Sequence, residues 1–64
     1  MTADQLLTVR DVAALLQEHP VTVRRRIARG EIRAANLGGT RQGARYRIRA
    51  SALDAYLNSH EYRP

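Results

Sequence analysis

Pro20 restricts this chain more than any other residue, because it closes one helical pattern and starts another. Its ring is excluded from a helix interior but suits the first turn, where the missing N–H would have no intrahelical partner. The residue before it, His19, is biased away from helical angles. Gly30 sits just past the end of a helix begun at Pro20, a place favoured for glycine because it takes positive φ. Residues 20–30, Pro-Val-Thr-Val-Arg-Arg-Arg-Ile-Ala-Arg-Gly, therefore read as a short helix with both ends encoded.

Upstream, Leu6-Leu7-Thr8-Val9-Arg10-Asp11-Val12 reads as a helix start. Thr8 is the N-cap, Asp11 occupies the capping-box position three residues on, and Leu7 is placed to staple against Val12. Val9, Val12, Ala13 and Leu16 follow the i, i+3, i+4, i+7 pattern, widened by Leu15, so this helix runs to about Gln17. The break Gln17-Glu18-His19-Pro20 then joins two short amphipathic helices, which is the helix-turn-helix pattern and also that of any αα-hairpin.

At 100° per residue, Val23 and Ile27 of the second helix share a stripe that can bury, with Val21, Thr22, Arg25, Ala28 and Arg29 roughly opposite. Arg24 and Arg26 fall on the flanks, about 80° from that stripe by the same geometry. A solvated basic face is the simplest reading of such a helix taken alone.

After Gly30 the period changes. Glu31 to Leu37 alternates weakly, while Arg45-Tyr46-Arg47-Ile48-Arg49 alternates cleanly, with Tyr46 and Ile48 on one side and three arginines on the other. Gly38-Gly39-Thr40-Arg41-Gln42-Gly43 suits the connection of a two-stranded β-hairpin, basic on its outer face and at its tip. No Lys-Ser/Thr and no helix follow these glycines, so a nucleotide-binding loop is excluded. Ser51 to Ser59 forms the last helix, with Ser51 and Asp54 at capping-box spacing and Leu53, Tyr56 and Leu57 on one face. Tyr56 at this spacing reads as core. The fold class is α+β, mainly α: helix, turn, second helix, hairpin, closing helix.

With 64 residues there is room for one small domain, residues 6–59, flanked by a flexible N-terminus, 1–5, and a flexible C-terminus, 60–64. No cysteine is present, so neither a disulfide nor a thiolate metal site can staple the fold. All eleven basic residues are arginine, and nine of them lie in residues 20–49 against Glu31 alone, leaving a cationic middle between acidic flanks. Such segregation is the footprint of a polyanionic partner. A membrane surface is disfavoured because an interfacial helix needs a bulky apolar face, and this chain has no Trp or Phe. Neither a membrane span nor a signal-peptide pattern is read, so a cytoplasmic location is expected.

Taken together, Leu7-Thr8-Val9 before Val12-Ala13, Thr22-Val23 with Ile27 and Gly30, Arg45-Tyr46-Arg47-Ile48, and Leu53 with Leu57 give the chain its likeness to a known family. From about Leu6 to Ser59 it resembles the excisionase-type branch of the MerR-like winged helix-turn-helix proteins. The resemblance implies a recognition helix in the major groove of double-stranded DNA, beginning near His19, and a wing at residues 38–44. It further implies a recombination directionality factor that bends attachment-site DNA for an integrase, or a short transcriptional regulator. Gln17 stands where the family usually has Gly, Glu18 where it has a small apolar residue, and His19 where a Ser cap is common.

In helix-turn-helix proteins the first turns of the second helix reach base edges. On the exposed face this selects Val21, Thr22 and Arg25, the arginine for a guanine edge and the other two for a thymine methyl. Arg24 and Arg26 are assigned to phosphates from the flanks, and Arg29 likewise because it lies far along the helix. Thr40, Arg41 and Arg45 are the wing contacts. Thr8 and Arg10 can touch phosphate at the start of the first helix, though capping is the simpler role for Thr8. Arg33, Arg47 and Arg49 read equally well as solvated surface. Five to seven phosphate-neutralising arginines predict a log K against log salt slope of roughly −4.5 to −6.

The acids and histidines do not cluster and no metal-ligand spacing occurs, so no catalytic residue, metal or cofactor is assigned. A protein-interaction module is the main rival reading. RNA binding is disfavoured because no aromatic platform lines the hairpin. MerR-type regulators dimerise through a long C-terminal helix, for which the chain after Ser51 leaves no room. A monomer in solution, with neighbouring copies binding side by side on DNA, is the expectation.

Overall fold

A computed structural model describes residues 4–39 and 45–61. Six elements follow in order: β1 (Leu6–Leu7), α1 (Val9–Leu16), α2 (Pro20–Ala28), β2 (Ala35–Asn36), β3 (Tyr46–Arg49) and α3 (Ala50–Ser59). This is the mainly helical architecture of a winged helix-turn-helix.

The start of α1 is as its sequence predicts. Thr8 Oγ1 accepts from the Asp11 N–H at 3.0 Å, and Asp11 Oδ2 accepts from the Thr8 N–H at 3.0 Å. The two bonds satisfy N–H groups that the first turn cannot. At the other end Gln17 takes the left-handed conformation, φ 55°, and lets Glu18 N–H reach back to Ala13 O at 2.9 Å. The turn is therefore closed by a residue with a Cβ in a conformation that glycine adopts without penalty. Gln17→Gly is expected to raise stability by about 0.5–1 kcal/mol, a gain of several degrees in the melting temperature of a domain this small. Thermal denaturation followed by circular dichroism checks it; a lower melting point would contradict the αL argument.

His19 caps α2, its Nδ1 accepting from the Val21 N–H at 3.1 Å. Pro20 opens the helix, and Gly30, at φ 79°, follows its end. There the Glu31 N–H closes onto Arg26 O at 2.9 Å, satisfying a terminal carbonyl. Arg25 and Arg26 lie in the last turn, where cations meet the negative end of the helix dipole.

The sheet has three strands rather than two, in the order β1-β3-β2. Both pairs are antiparallel, with Leu7 opposite Ile48 and Asn36 opposite Tyr46. Leu6 and Leu7, read from sequence as the lead-in to the first helix, form the added strand; two residues show no periodicity of their own. The hairpin pairing extends past β2, since Leu37 N–H donates to Arg45 O at 2.9 Å and Arg45 N–H to Gly38 O at 2.8 Å. The wing tip beyond it, with Thr40 and Arg41, lies outside the described residues.

The last helix starts differently from its predicted capping box. Strand β3 runs straight into α3, Arg49 is the N-cap, and Ser51 lies inside the first turn. Asp4 takes the Ser51 N–H at 3.1 Å together with its hydroxyl, while Gln5 O accepts from Ala50 N–H at 2.9 Å. A carboxylate 47 residues away in the chain thus replaces Asp54 at this helix end.

Hydrogen bonds from Ser51 hold the Asp4 carboxyl below its ordinary 3.8, and those from Thr8 do the same for Asp11. A depressed folded-state value contributes stability that is present above 3.8 and is lost as pH falls through the folded values. Acid melts are expected to show stability declining below that point, with a shallower decline in an Asp4→Asn/Asp11→Asn double variant. An identical decline in both proteins would contradict the assignment.

Eight apolar side chains form the core: Leu7, Val9, Val12, Ala13, Val23, Ile32, Ile48 and Leu53. Val12, Val23, Ile32 and Ile48 are sealed from solvent. They come from α1, α2, the segment after α2, and β3, so this one cluster fixes the second helix and the wing relative to the first helix. Tyr56 and Ile27 pack partly buried against its margin, in line with their helical positions.

Candidate nucleic-acid interface

The α2 helix turns Val23 fully inward and leaves Val21 52% exposed. Arg24, Arg25 and Arg29 are exposed, and Thr22 is half-buried rather than fully outward. Val21, Thr22 and Arg25 thus lie at the start and middle of a helix whose cap, His19, and inner stripe, Val23 and Ile27, hold it against the core. Among the described residues neither Arg24 nor Arg25 enters an ion pair. Arg29 Nη1 stands 3.9 Å from Glu31 Oε2, a loose exposed pair.

Arg26 is placed differently from its expected phosphate role. Its guanidinium grips Glu18 through two parallel hydrogen bonds, the Nη2–Oε2 bond at 2.8 Å, and its Cζ lies 5.6 Å from the centre of the Tyr56 ring. The bond to Glu18 raises its affinity for the proton still further. Arg26 therefore ties the turn, α2 and α3 together, which also accounts for an acid at position 18 where an apolar residue is expected. This eight-residue separation crosses the turn, so the helical wheel that put Arg26 on the flank held no sign of it.

Thr8, Arg10, Arg24, Arg45 and Arg47 line a crevice of about 260 Å³ where the start of α1, the flank of α2 and the base of the wing meet. Four arginines from three parts of the fold line this one small concavity. Arg47 Nη1 donates to Tyr46 O at 2.8 Å. In the sequence Arg24 and Arg45 stand as separate phosphate and wing candidates, and Arg10 and Arg47 carry weaker claims. The available signal is that Arg45, just before β3, and Arg47, within it, alternate onto one side of the strand.

What this arrangement can do follows from its chemistry. Arginine presents up to five fixed donors and matches phosphate bidentately. A crevice of four such groups beside an exposed helix provides adjacent contacts for a phosphodiester backbone and for the groove it borders. Among the described residues no three His, Cys, Asp or Glu side chains come together, and no helix is long and apolar enough to cross a membrane.

A family model described as a helix-turn-helix domain matches residues 6–61. No curated protein and no solved structure matches the chain.

Proposed function

Because this chain belongs to the helix-turn-helix domain family, a family of DNA-binding domains, we propose that it reads double-stranded DNA with α2 in the major groove and shapes that DNA for recombination. Val21, Thr22 and Arg25 face the bases. Arg24, Arg45, Arg10 and Arg47 hold the phosphates that border the groove, with Arg29 farther along. Thr40 and Arg41 extend the wing past Arg45 toward the minor groove, outside the phosphate set. Arg26 moves from the phosphate set to an internal brace with Glu18.

The observation that carries this reading is that Arg10, Arg24, Arg45 and Arg47 all line one crevice. Arg47 already acts on the Asp11 carboxylate, and a polyanion seated in the crevice would meet the remaining cationic side chains together. The finer role, that of an excisionase-type directionality factor acting beside an integrase in the cytoplasm, rests on the likeness carried by Leu7-Thr8-Val9, Thr22-Val23 and Arg45-Tyr46-Arg47-Ile48. In it, monomers bind repeated sites side by side and bend the attachment DNA, a deformation that itself contributes to site choice.

Two measurements separate the parts of the proposal. Arg25→Ala is expected to cut discrimination between the selected duplex and a scrambled one by about 1–3 kcal/mol, leaving scrambled affinity close to unchanged. Equal losses on both duplexes would remove Arg25 from base reading. Excisive recombination in vitro with the cognate integrase is expected to require the protein. If recombination proceeds equally without it, the transcriptional role takes its place.

A further inference from the structure

The outer face of the sheet shares Arg47 with the arginine crevice but adds an apolar floor. Leu6 pairs with Arg49 and Ala35 with Arg47, so these four side chains share the face opposite buried Leu7 and Ile48. With Leu37 and the flank of α3 at Ala52, they enclose a groove of about 800 Å³. Its apolar floor stays open to solvent: Leu6 is 55% exposed and Leu37 61%. Arg33 and Arg49 stand on its rim, and neither enters an ion pair among the described residues.

From this juxtaposition of an apolar groove and a cationic rim, we propose that the outer sheet face docks an acidic amphipathic segment of a partner protein. The occupant must satisfy both features together. Phosphates answer the arginines but gain nothing from Leu6 and Leu37, whereas leucines flanked by carboxylates fill the floor and neutralise the rim. A lipid surface carries both chemistries too, but it meets proteins over broad flat contacts, and this groove is walled on one side by α3. Arg33 and Arg49 line this groove and not the arginine crevice, so the proposal is tested apart from the DNA reading although Arg47 borders both.

The test uses the whole chain and a fluorescein-labelled peptide with leucines at i, i+3, i+4 and i+7 and glutamates between them. Binding is expected to shift the amide resonances of Leu6, Ala35, Leu37 and Ala52. An Arg33→Gln/Arg49→Gln variant is expected to bind the peptide at least about tenfold more weakly. Both side chains are exposed, and an unchanged thermal melt confirms the fold. A peptide with serines in place of its leucines is expected to lose affinity to the same degree. Shifts centred on Val21 and Arg25, or equal binding of the serine peptide, would overturn the proposal by reducing it to capture of negative charge at α2. Shifts of the groove residues by anionic vesicles and not by the peptide would overturn it in favour of a lipid surface.

Discussion

Ile48→Ala is expected to leave a large fraction of the population unfolded at ambient temperature. Ile48 is wholly buried in the central strand, paired through its residue with Leu7, and belongs to the cluster that joins α1, α2 and α3. Removing its outer carbons forfeits burial and leaves a cavity, a combination that costs about 2–5 kcal/mol for aliphatic residues cut to Ala. A domain of this size without disulfide or metal rarely has more than about 3–5 kcal/mol in total. The loss therefore consumes nearly all of it. Ile48→Val, at about 0.5–1.5 kcal/mol, should fold with a lowered melting point, and Leu15→Ala, at a side chain 64% exposed, should barely register. Chemical denaturation of the three variants checks the order; an Ile48→Ala protein as stable as the parent would mean that the core is elsewhere.

The second large effect belongs to the arginine crevice. If Arg10, Arg24, Arg45, Arg47 and Arg29 each neutralise one phosphate, log K falls against log salt with a slope of roughly −4.5. Taking Arg26 out of the phosphate set, because Glu18 holds it, places this value at the shallow end of the range predicted from arginine counts alone. An Arg10→Ala/Arg24→Ala/Arg45→Ala variant removes three of the five contacts. Its slope should shrink to roughly −1.8, with affinity at low salt falling by orders of magnitude on specific and scrambled duplexes alike. That uniform loss is the mark of backbone contact, opposite to the sequence-dependent loss expected for Arg25→Ala.

The parts of the fold legible in the sequence are those written in local chemistry. Thr8 and Asp11 stand three residues apart and close a capping box without help from the rest of the chain. Pro20 and Gly30 bracket α2 because each residue type fits one helix end. Tyr46 and Ile48 alternate with arginines because β3 has one face on the core. What stayed hidden depends on partners far along the chain. The Asp4 carboxylate reaches Ser51, and the two-residue strand at Leu6–Leu7 becomes visible only when paired with Arg49 and Ile48. Ser51 and Asp54 had the right spacing for a cap, but β3 enters α3 without a loop, so the helix starts one residue earlier and takes its cap from residues 4 and 5.

The site divides in the same way. Helical geometry alone turned Val21 and Arg25 outward and Val23 inward, as the structure has them. It gave no sign of the Arg26–Glu18 pair, because the wheel of a single helix carries no knowledge of Glu18 across the turn. Nor does local sequence place Arg10 beside Arg47, since the crevice they line exists only once α1 and β3 pack together. An arginine's role here is decided by the neighbouring element, not by its own position in a helix or strand.

The most direct measurement is a titration of binding to a duplex against salt, run on the parent chain and on the Arg10→Ala/Arg24→Ala/Arg45→Ala variant. A slope near −4.5 that falls to near −1.8 in the variant is the predicted result. A slope near zero in the parent, or the same slope in both proteins, would contradict DNA binding through this crevice.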